Sequence, residues 1–281
     1  MDLVLRHGDI ENHFYRKFFE KGYNKVVVRV SGGLDSALML YLFAKFAEEY
    51  NPSLEIYCFT ALDTLWTFGD TEGTTNNVVN FVREQFPSIK IEQKFFPFTK
   101  RGYATEKLRK FTNKWNKSEK GKNFYVEPML NQYVKDTGSQ LACIGSTKNI
   151  SLDVTEEYKN FEDYPGTDLT RKTLKYCALA GTPAPHRNHK EGMVAQNAHR
   201  RPPSAIRSEE NMPWWGLDKT FVAHQFEVFG LMDTLYPMTE SCIYAPYIHN
   251  EDYKIEKPPC KMCYWCNERY FSFGSYDYGV K

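Results

Sequence analysis

The strongest constraint on the fold is an apolar strand pattern that stops at two glycines and passes directly into a helical pattern. Residues 26–30 are mostly β-branched and apolar, and residues 31–36, called here the glycine loop, read Ser-Gly-Gly-Leu-Asp-Ser. A strand that leads into a helix N-terminus creates an anion site, because the helix dipole and the free backbone N–H groups favour negative charge. The residues predicted to contact a phosphate are Ser31, Gly32, Gly33 and Ser36, since glycine permits close backbone approach and serine supplies hydroxyl donors.

Asp35 is the unusual member of the glycine loop. A carboxylate beside a phosphate is repulsive unless a divalent cation lies between them. We therefore predict a cradle for magnesium and pyrophosphate at this turn. The loop does not fit the Walker-type phosphate loop or the dinucleotide fingerprint. The alternative interpretation is a tight strand-to-helix turn that binds no ligand.

The order of elements along the chain predicts an α/β fold with a doubly wound parallel sheet. Strand patterns at 25–30, 54–60, 89–96 and 141–144 alternate with helical patterns at 36–50, 71–85 and 129–137. Apolar spacing also predicts a helix over 9–21. Ligands bind at the carboxyl ends of strands in such sheets, so we expect the glycine loop and the segments after Thr60 and Ile144 to meet there.

The chain of 281 residues allows one large domain with an appendage. We predict an ATP-binding α/β domain over 1–212 and a helical, metal-binding region over 213–281. A basic insertion near 171–207 holds eight Lys or Arg residues against one acid, Glu191. It is interpreted either as a mobile lid over an anionic ligand or as a solvated surface insertion.

Charge and hydropathy narrow the set of partners. The net charge of +1 does not favour nucleic acid as a partner. No apolar run is long enough to span a membrane, and the first residues lack the basic start and apolar centre of a signal peptide. We therefore expect a cytoplasmic protein.

A cysteine cluster near the end of the sequence predicts a metal site. Cys260, Cys263 and Cys266 form two overlapping Cys-x-x-Cys steps, and Cys242 supplies a fourth thiol. Four thiolates close a tetrahedral zinc site, which leaves no open position and is therefore structural. Reduced core cysteines and an iron–sulfur cluster are the alternatives. Cys58 and Cys143 lie in strand patterns and are predicted to be core residues, as is Cys177.

The glycine loop matches the SGGxDS signature of the PP-loop ATP pyrophosphatase family, which cleaves ATP between the α- and β-phosphates and passes AMP to an acceptor. The resemblance implies an adenine nucleotide alpha hydrolase-like fold that uses ATP and Mg²⁺. It implies that residues 31–36 bind pyrophosphate and that Asp35 holds magnesium, directly or through water. On this basis, Asp35→Ala is expected to abolish AMP formation and to leave the fold intact.

A second loop supports this resemblance. Residues 145–149 read Gly-Ser-Thr-Lys-Asn and resemble a Gly-Thr-x-Asn-like turn that helps to close the nucleotide site in related ATP pyrophosphatases. Lys148 is predicted to neutralise charge on the leaving pyrophosphate and to be catalytic together with Asp35. The alternative is a loop lysine in solvent.

The glycine loop and the cysteine cluster together resemble 7-cyano-7-deazaguanine synthase. Thr239-Glu240-Ser241-Cys242, the three clustered cysteines and Arg269 look like the zinc tail of that family, and Asp218-Lys219 also resembles it. The resemblance implies ATP-dependent conversion of 7-carboxy-7-deazaguanine and ammonia to the amide or nitrile, with AMP and pyrophosphate released. It also implies a homodimer with Zn²⁺.

Three other activities compete with this prediction. A divergent amide ligase would act on another carboxylate. A PP-loop enzyme that adenylates a tRNA base for thiolation would need reactive or cluster-binding cysteines and a basic RNA surface. A nucleotide-binding module without catalysis would keep the glycine turn and tolerate loss of Asp35, which is nevertheless present.

Overall fold

The computed structural model describes residues 4–63, 71–98, 123–145, 147, 212–214, 217–242, 259 and 264–280. The strands are β1 (Val4–His7), β2 (Ile10–His13), β3 (Lys25–Arg29), β4 (Glu55–Asp63), β5 (Lys90–Phe98) and β6 (Leu141–Ile144). The helices are α1 (Arg16–Glu20), α2 (Leu34–Tyr50), α3 (Thr71–Gln85), α4 (Asn123–Thr137), α5 (Lys219–Val228) and α6 (Tyr264–Phe273), with 3-10 turns at Tyr236–Met238 and Asp277–Gly279.

Four parallel strands form the central sheet in the order β5-β4-β3-β6. Val28 in β3 is aligned with Cys58 of β4 on one side and with Cys143 of β6 on the other. The chain therefore adds strands first to one edge of β3 and then returns to the opposite edge. In open parallel sheets, the crevice at the carboxyl ends of the strands on either side of such a reversal is where ligands bind.

Helices cover both faces of the sheet, which confirms the predicted α/β architecture. Val26 and Val28 pack with α2 and α3 in one buried cluster, whereas Val27 packs with α4 in another. This division follows from the two-residue period of a strand, which sends successive side chains to opposite faces. Because β3 is covered on both sides, its run of β-branched residues is fully buried.

The buried cluster that contains Val26 and Val28 includes residues from both sides of position 212. Trp214, Phe221 and Phe226 are fully buried or nearly so and belong to the same core as Phe43 of α2. Helix α2 is consequently buried along most of its length. The proposed division of the chain into 1–212 and 213–281 remains a prediction, and the two regions share one core.

The prediction of a helix over 9–21 is wrong for the first half of that range. Residues 4–13 instead form an antiparallel hairpin of β1 and β2 around Gly8, whose φ is +55°. Helix α1 is limited to Arg16–Glu20. The apolar spacing was misleading because Phe14 and Phe18 are buried, whereas Ile10 lies on the hairpin with 49% of its surface exposed.

None of the helices within the described ranges combines the length and the apolar character that crossing a bilayer requires.

Candidate active site

The glycine loop connects β3 to α2 at the carboxyl edge of the sheet. Gly33 occupies the N-cap of α2 in an extended conformation, and within the described residues no side chain caps this helix of 17 residues. The first turn of α2 therefore presents backbone N–H groups and the positive end of a long helix dipole. This is the local arrangement that the sequence predicted for an anion site.

The two serines of the glycine loop have different surroundings. The Ser36 hydroxyl donates a hydrogen bond to the Gly33 carbonyl oxygen at 2.9 Å and accepts one from the Ser31 backbone N–H at 3.2 Å. Ser36 is buried, whereas Ser31 is exposed. The Ser36 hydroxyl thus fixes the shape of the loop, and the Ser31 hydroxyl is the one that is accessible from solvent.

Gly32 is required by its backbone conformation and by its contact with α3. Its φ is +77°, and a Cβ built on it would lie 2.8 Å from Cγ2 of Thr74. Its carbonyl oxygen accepts a hydrogen bond from the Glu240 backbone N–H at 2.9 Å. A Cβ on Gly33 would make ordinary contacts at 3.6 Å with Glu240 and Ser31. The close packing at Gly32 therefore involves the protein's own helix α3.

The segment after β6 contacts the glycine loop, as predicted. A Cβ built on Gly145 would lie 2.8 Å from the Asp35 carbonyl oxygen and from the Ser36 backbone nitrogen. The buried hydroxyl of Thr147 lies 3.5 Å from Oδ2 of Asp35, to which it donates. Because β6 lies next to β3 in the sheet, the loops that follow these two strands are in direct contact.

The contact at Gly145 leads to a testable prediction. Gly145→Ala should destabilise the fold by about 1–3 kcal/mol, because the new methyl group must displace the backbone of α2. Thermal or urea unfolding of the purified variant measures this. Gly33→Ala is the matched control, since the nearest atoms to its Cβ within the described part of the chain are 3.6 Å away. Equal stability losses in the two variants would contradict the close approach at Gly145.

Lys219 forms a buried ion pair with Asp35. The Lys219 Nζ donates to Oδ1 of Asp35 at 2.6 Å, and Oε2 of Glu268 lies 3.7 Å from the same nitrogen. The exposed fractions of the side chains are 8% for Lys219, 14% for Asp35 and 1% for Glu268. Charges buried to this degree persist in folded proteins when they are paired.

Neighbouring residues place Lys219 and Asp35. Asp218 caps α5 by accepting a hydrogen bond from the Thr220 backbone N–H at 3.0 Å, so that Lys219 begins the helix. The indole Nε1 of the buried Trp214 donates to the Asp35 carbonyl oxygen at 2.9 Å. Asp35 is thus held through its backbone and its side chain by residues from the last third of the chain.

Lys219 and Trp214 were not among the predicted site residues. The sequence analysis noted Asp218-Lys219 only as part of the resemblance to 7-cyano-7-deazaguanine synthase, without a role at the glycine loop. The predicted catalytic Lys148 lies outside the described residues, as does the basic segment 171–207. The role of Lys148 stays a prediction.

Two of the four predicted metal ligands come together. The Cys242 and Cys266 sulfur atoms and a carboxylate oxygen of Asp277 lie within 4.8 Å of one another, and all three residues are buried. Cys260 and Cys263 lie outside the described residues. The two thiols fit a tetrahedral thiolate site for zinc, so the described part of the cluster is compatible with the prediction.

Asp277 supports the cysteines through the backbone. Its Oδ2 accepts from the Cys242 backbone N–H at 2.7 Å, and its Oδ1 accepts from the Ser241 backbone N–H at 2.9 Å and from Nη1 of Arg269 at 2.8 Å. The carboxylate therefore orients the chain beside the thiols, which is the function of outer groups around many metal sites.

Cys58 and Cys143 are core residues, as predicted. Both are fully buried as free thiols. Burial raises the pKa of the Cys58 thiol to about 12 and also raises the pKa of Cys143. These thiols remain protonated at neutral pH and are therefore poor nucleophiles and metal ligands. Cys177 lies outside the described residues.

No protein-family model matches the chain, and no curated protein matches it. Among solved structures, it is similar to NAD+ synthetase from Burkholderia pseudomallei at 13% identity and a TM-score of 0.36, over 93% of this chain and 79% of that chain. It is also similar to the U34-tRNA thiolase NcsA from Methanococcus maripaludis with its 4Fe-4S cluster, at 15% identity and a TM-score of 0.35, over 89% of this chain and 85% of that chain. Such low TM-scores do not establish a shared fold, so the chemistry of the site rests on this chain's own residues.

Proposed function

We propose that the protein is an ATP-dependent enzyme that cleaves ATP between the α- and β-phosphates at the glycine loop and passes AMP to an acceptor. One observation carries this proposal. Asp35 and Lys219 form a buried pair, 2.6 Å apart, at the N-terminus of α2, where the strand order of the sheet reverses. A helix N-terminus, a lysine and a carboxylate at this position together suit a phosphate with its metal ion.

The residues at the loop have separate roles in this proposal. The backbone N–H groups of the first turn of α2 bind the leaving pyrophosphate, and Lys219 supplies positive charge beside it. The Asp35 carboxylate suits Mg²⁺, which prefers oxygen ligands and is usually shared with substrate phosphates. Among the described residues, the hydrogen bond recorded for Oδ2 is the long one of 3.5 Å from Thr147. This oxygen could therefore bind the cation while Oδ1 remains paired with Lys219. Magnesium would neutralise charge on the phosphates.

The finer proposal is that the acceptor is a carboxylated deazapurine, 7-carboxy-7-deazaguanine. The carboxylate oxygen attacks the α-phosphorus of ATP, and pyrophosphate leaves. Ammonia then attacks the acyl carbon and AMP leaves, which gives the amide. The amide oxygen then attacks the α-phosphorus of a second ATP and a second pyrophosphate leaves, after which loss of AMP and protons gives the nitrile. The support for this acceptor is the resemblance of the glycine loop and the cysteine tail to 7-cyano-7-deazaguanine synthase, which also suggests a homodimer.

We further propose that Cys242, Cys260, Cys263 and Cys266 hold a structural Zn²⁺ ion. The proximity of Cys242 and Cys266 in a buried position supports this set. A site closed by four thiolates stabilises the fold around it and leaves no position for substrate.

Cys266→Ser should therefore lose bound metal and stability together, and Cys263→Ser should do the same. Metal content per chain, measured by plasma mass spectrometry, and thermal unfolding test this. Cys58→Ser is the control, since Cys58 is a core cysteine and its replacement should leave the metal content unchanged. Full zinc occupancy in Cys266→Ser would contradict the site. Iron with visible absorbance in the wild-type protein would show that the cluster holds an iron–sulfur centre instead.

The proposed function is tested by mass spectrometry of the purified protein with ATP, magnesium, ammonium and 7-carboxy-7-deazaguanine. The expected result is formation of the amide or the nitrile together with a proportional amount of AMP. The identity of the product shows where the reaction stops. Turnover with tRNA or with another carboxylate, but not with the deazapurine, would keep the ATP chemistry and replace the acceptor. Release of ADP and phosphate would overturn the proposal.

A further inference from the structure

We infer that Arg269 and Asp277 are positioning residues that hold the 239–242 segment against the glycine loop, and so couple the cysteine site to nucleotide binding. The effect on nucleotides rests on the proposed function, whereas the mechanical coupling is independent of it.

Arg269 is the centre of a fully buried network. Its Nη1 donates to the Thr239 carbonyl oxygen at 3.1 Å and to Oγ1 of Thr239 at 2.9 Å. Its Nη2 donates to the Tyr236 carbonyl oxygen at 3.1 Å, and the guanidinium carbon lies 4.1 Å from the centre of the Tyr236 ring. A planar guanidinium with several fixed donors suits this task better than the single ammonium of lysine.

Asp277 completes the network from the opposite side of the segment. Its side chain is fully buried and accepts from Arg269 and from the backbone N–H groups of Ser241 and Cys242. The 239–242 segment is therefore held at Thr239 by Arg269 and at its other end by Asp277. Arg269 and Asp277 thus fix the position of Glu240 between these two points.

Glu240 joins this segment to the glycine loop. Its backbone N–H donates to the Gly32 carbonyl oxygen at 2.9 Å, and its Oε2 accepts from Oγ1 of Thr74 at 3.3 Å. Cys242 is only two residues further along the chain. A displacement of Cys242 therefore reaches the backbone of the loop through a short, hydrogen-bonded path.

Helix α6 provides a second connection. Glu268 lies two residues after Cys266 and 3.7 Å from the Lys219 ammonium, which in turn pairs with Asp35. Arg269 is the next residue on the same helix. Both cysteines of the described cluster are thus close in sequence to residues that contact the glycine loop or its ion pair.

The experiment compares hydrogen exchange and MgATP binding in the metal-loaded full chain, in Arg269→Lys and in Asp277→Asn. Both variants should exchange faster in peptides covering 239–242 and 31–36, with unchanged exchange in α4. MgATP affinity, measured by titration calorimetry, should fall by about 10- to 100-fold, the range typical of groups that orient a site without touching the ligand. Removal of the metal by a chelator should produce the same exchange pattern.

Leu130→Ala is the control for a purely structural effect. Leu130 is fully buried in the cluster on the opposite face of the sheet, so this variant should lose stability without a selective change at 31–36 or in MgATP affinity. Wild-type affinity and exchange in Arg269→Lys would overturn the inference. If the wild-type protein does not bind MgATP, the proposed function is wrong. The mechanical coupling is then tested by hydrogen exchange alone, and wild-type exchange at 31–36 in the variants would contradict it.

Discussion

Lys219→Met is expected to lower the free energy of unfolding by about 3–5 kcal/mol, the cost typical of breaking a buried ion pair by removing one partner. The substitution removes the ammonium that lies 2.6 Å from the largely buried Asp35 and 3.7 Å from the fully buried Glu268. Urea unfolding measures the change. The variant should also lose AMP formation, because the proposed positive charge beside the pyrophosphate is gone.

Two further variants make this result specific. Adding Asp35→Asn to Lys219→Met should recover part of the lost stability, since it removes one of the carboxylates that the ammonium paired. Lys90→Met should have little effect on stability, because the Lys90 side chain is about half exposed and its ion pairs with Glu55 and Glu92 are screened by solvent. A stability loss in Lys219→Met no greater than in Lys90→Met would contradict the buried pair.

Asp35→Asn is expected to reduce AMP formation by about 10²–10³-fold, because the neutral amide no longer holds the cation that offsets phosphate charge. The change is measured as AMP released per enzyme with the acceptor present. Asp136→Asn is a suitable control, since Asp136 is exposed on α4 and contacts Gln132. Normal AMP formation by Asp35→Asn would contradict the role of this carboxylate.

The ion pair changes the expectation for the stability of Asp35 variants. The sequence predicted that replacement of Asp35 would leave the fold intact, since only a ligand was expected beside it. The structure places Lys219 against Asp35 in a buried position, so Asp35→Ala should also lower stability. Activity measurements on Asp35 variants therefore need to be made at a temperature where the variant is shown to be folded.

The glycine loop could be predicted because its determinants are local. The β-branched run of β3, the glycine at a φ of +77° and the first turn of α2 are contiguous in the sequence. The four parallel strands followed from their alternation with helices. The same local argument failed at the N-terminus, where the spacing of Phe14 and Phe18 fits a helix equally well although residues 10–13 form a strand.

The partners of the loop could not be predicted in the same way. Lys219 is 184 residues from Asp35, and no periodicity relates the two positions. Arg269 was noted only as part of the resemblance to the zinc tail, and Asp277 was not noted, since a buried charge pair depends on the tertiary contacts that enclose it. The cysteine cluster could be predicted as a metal site because the spacing of its ligands is a local feature of the sequence. Its proximity to the glycine loop could not be predicted, because it depends on the tertiary fold.

The role of the glycine loop in ATP binding is tested by a crystal structure of the protein with magnesium and α,β-methylene-ATP, an analogue that resists cleavage between the α- and β-phosphates. We expect the β- and γ-phosphates to lie on the backbone N–H groups at the start of α2, with the metal ion beside Asp35 and with Lys219 within hydrogen-bonding distance of a phosphate oxygen. A triphosphate bound elsewhere on the molecule, or no binding at all, would contradict it.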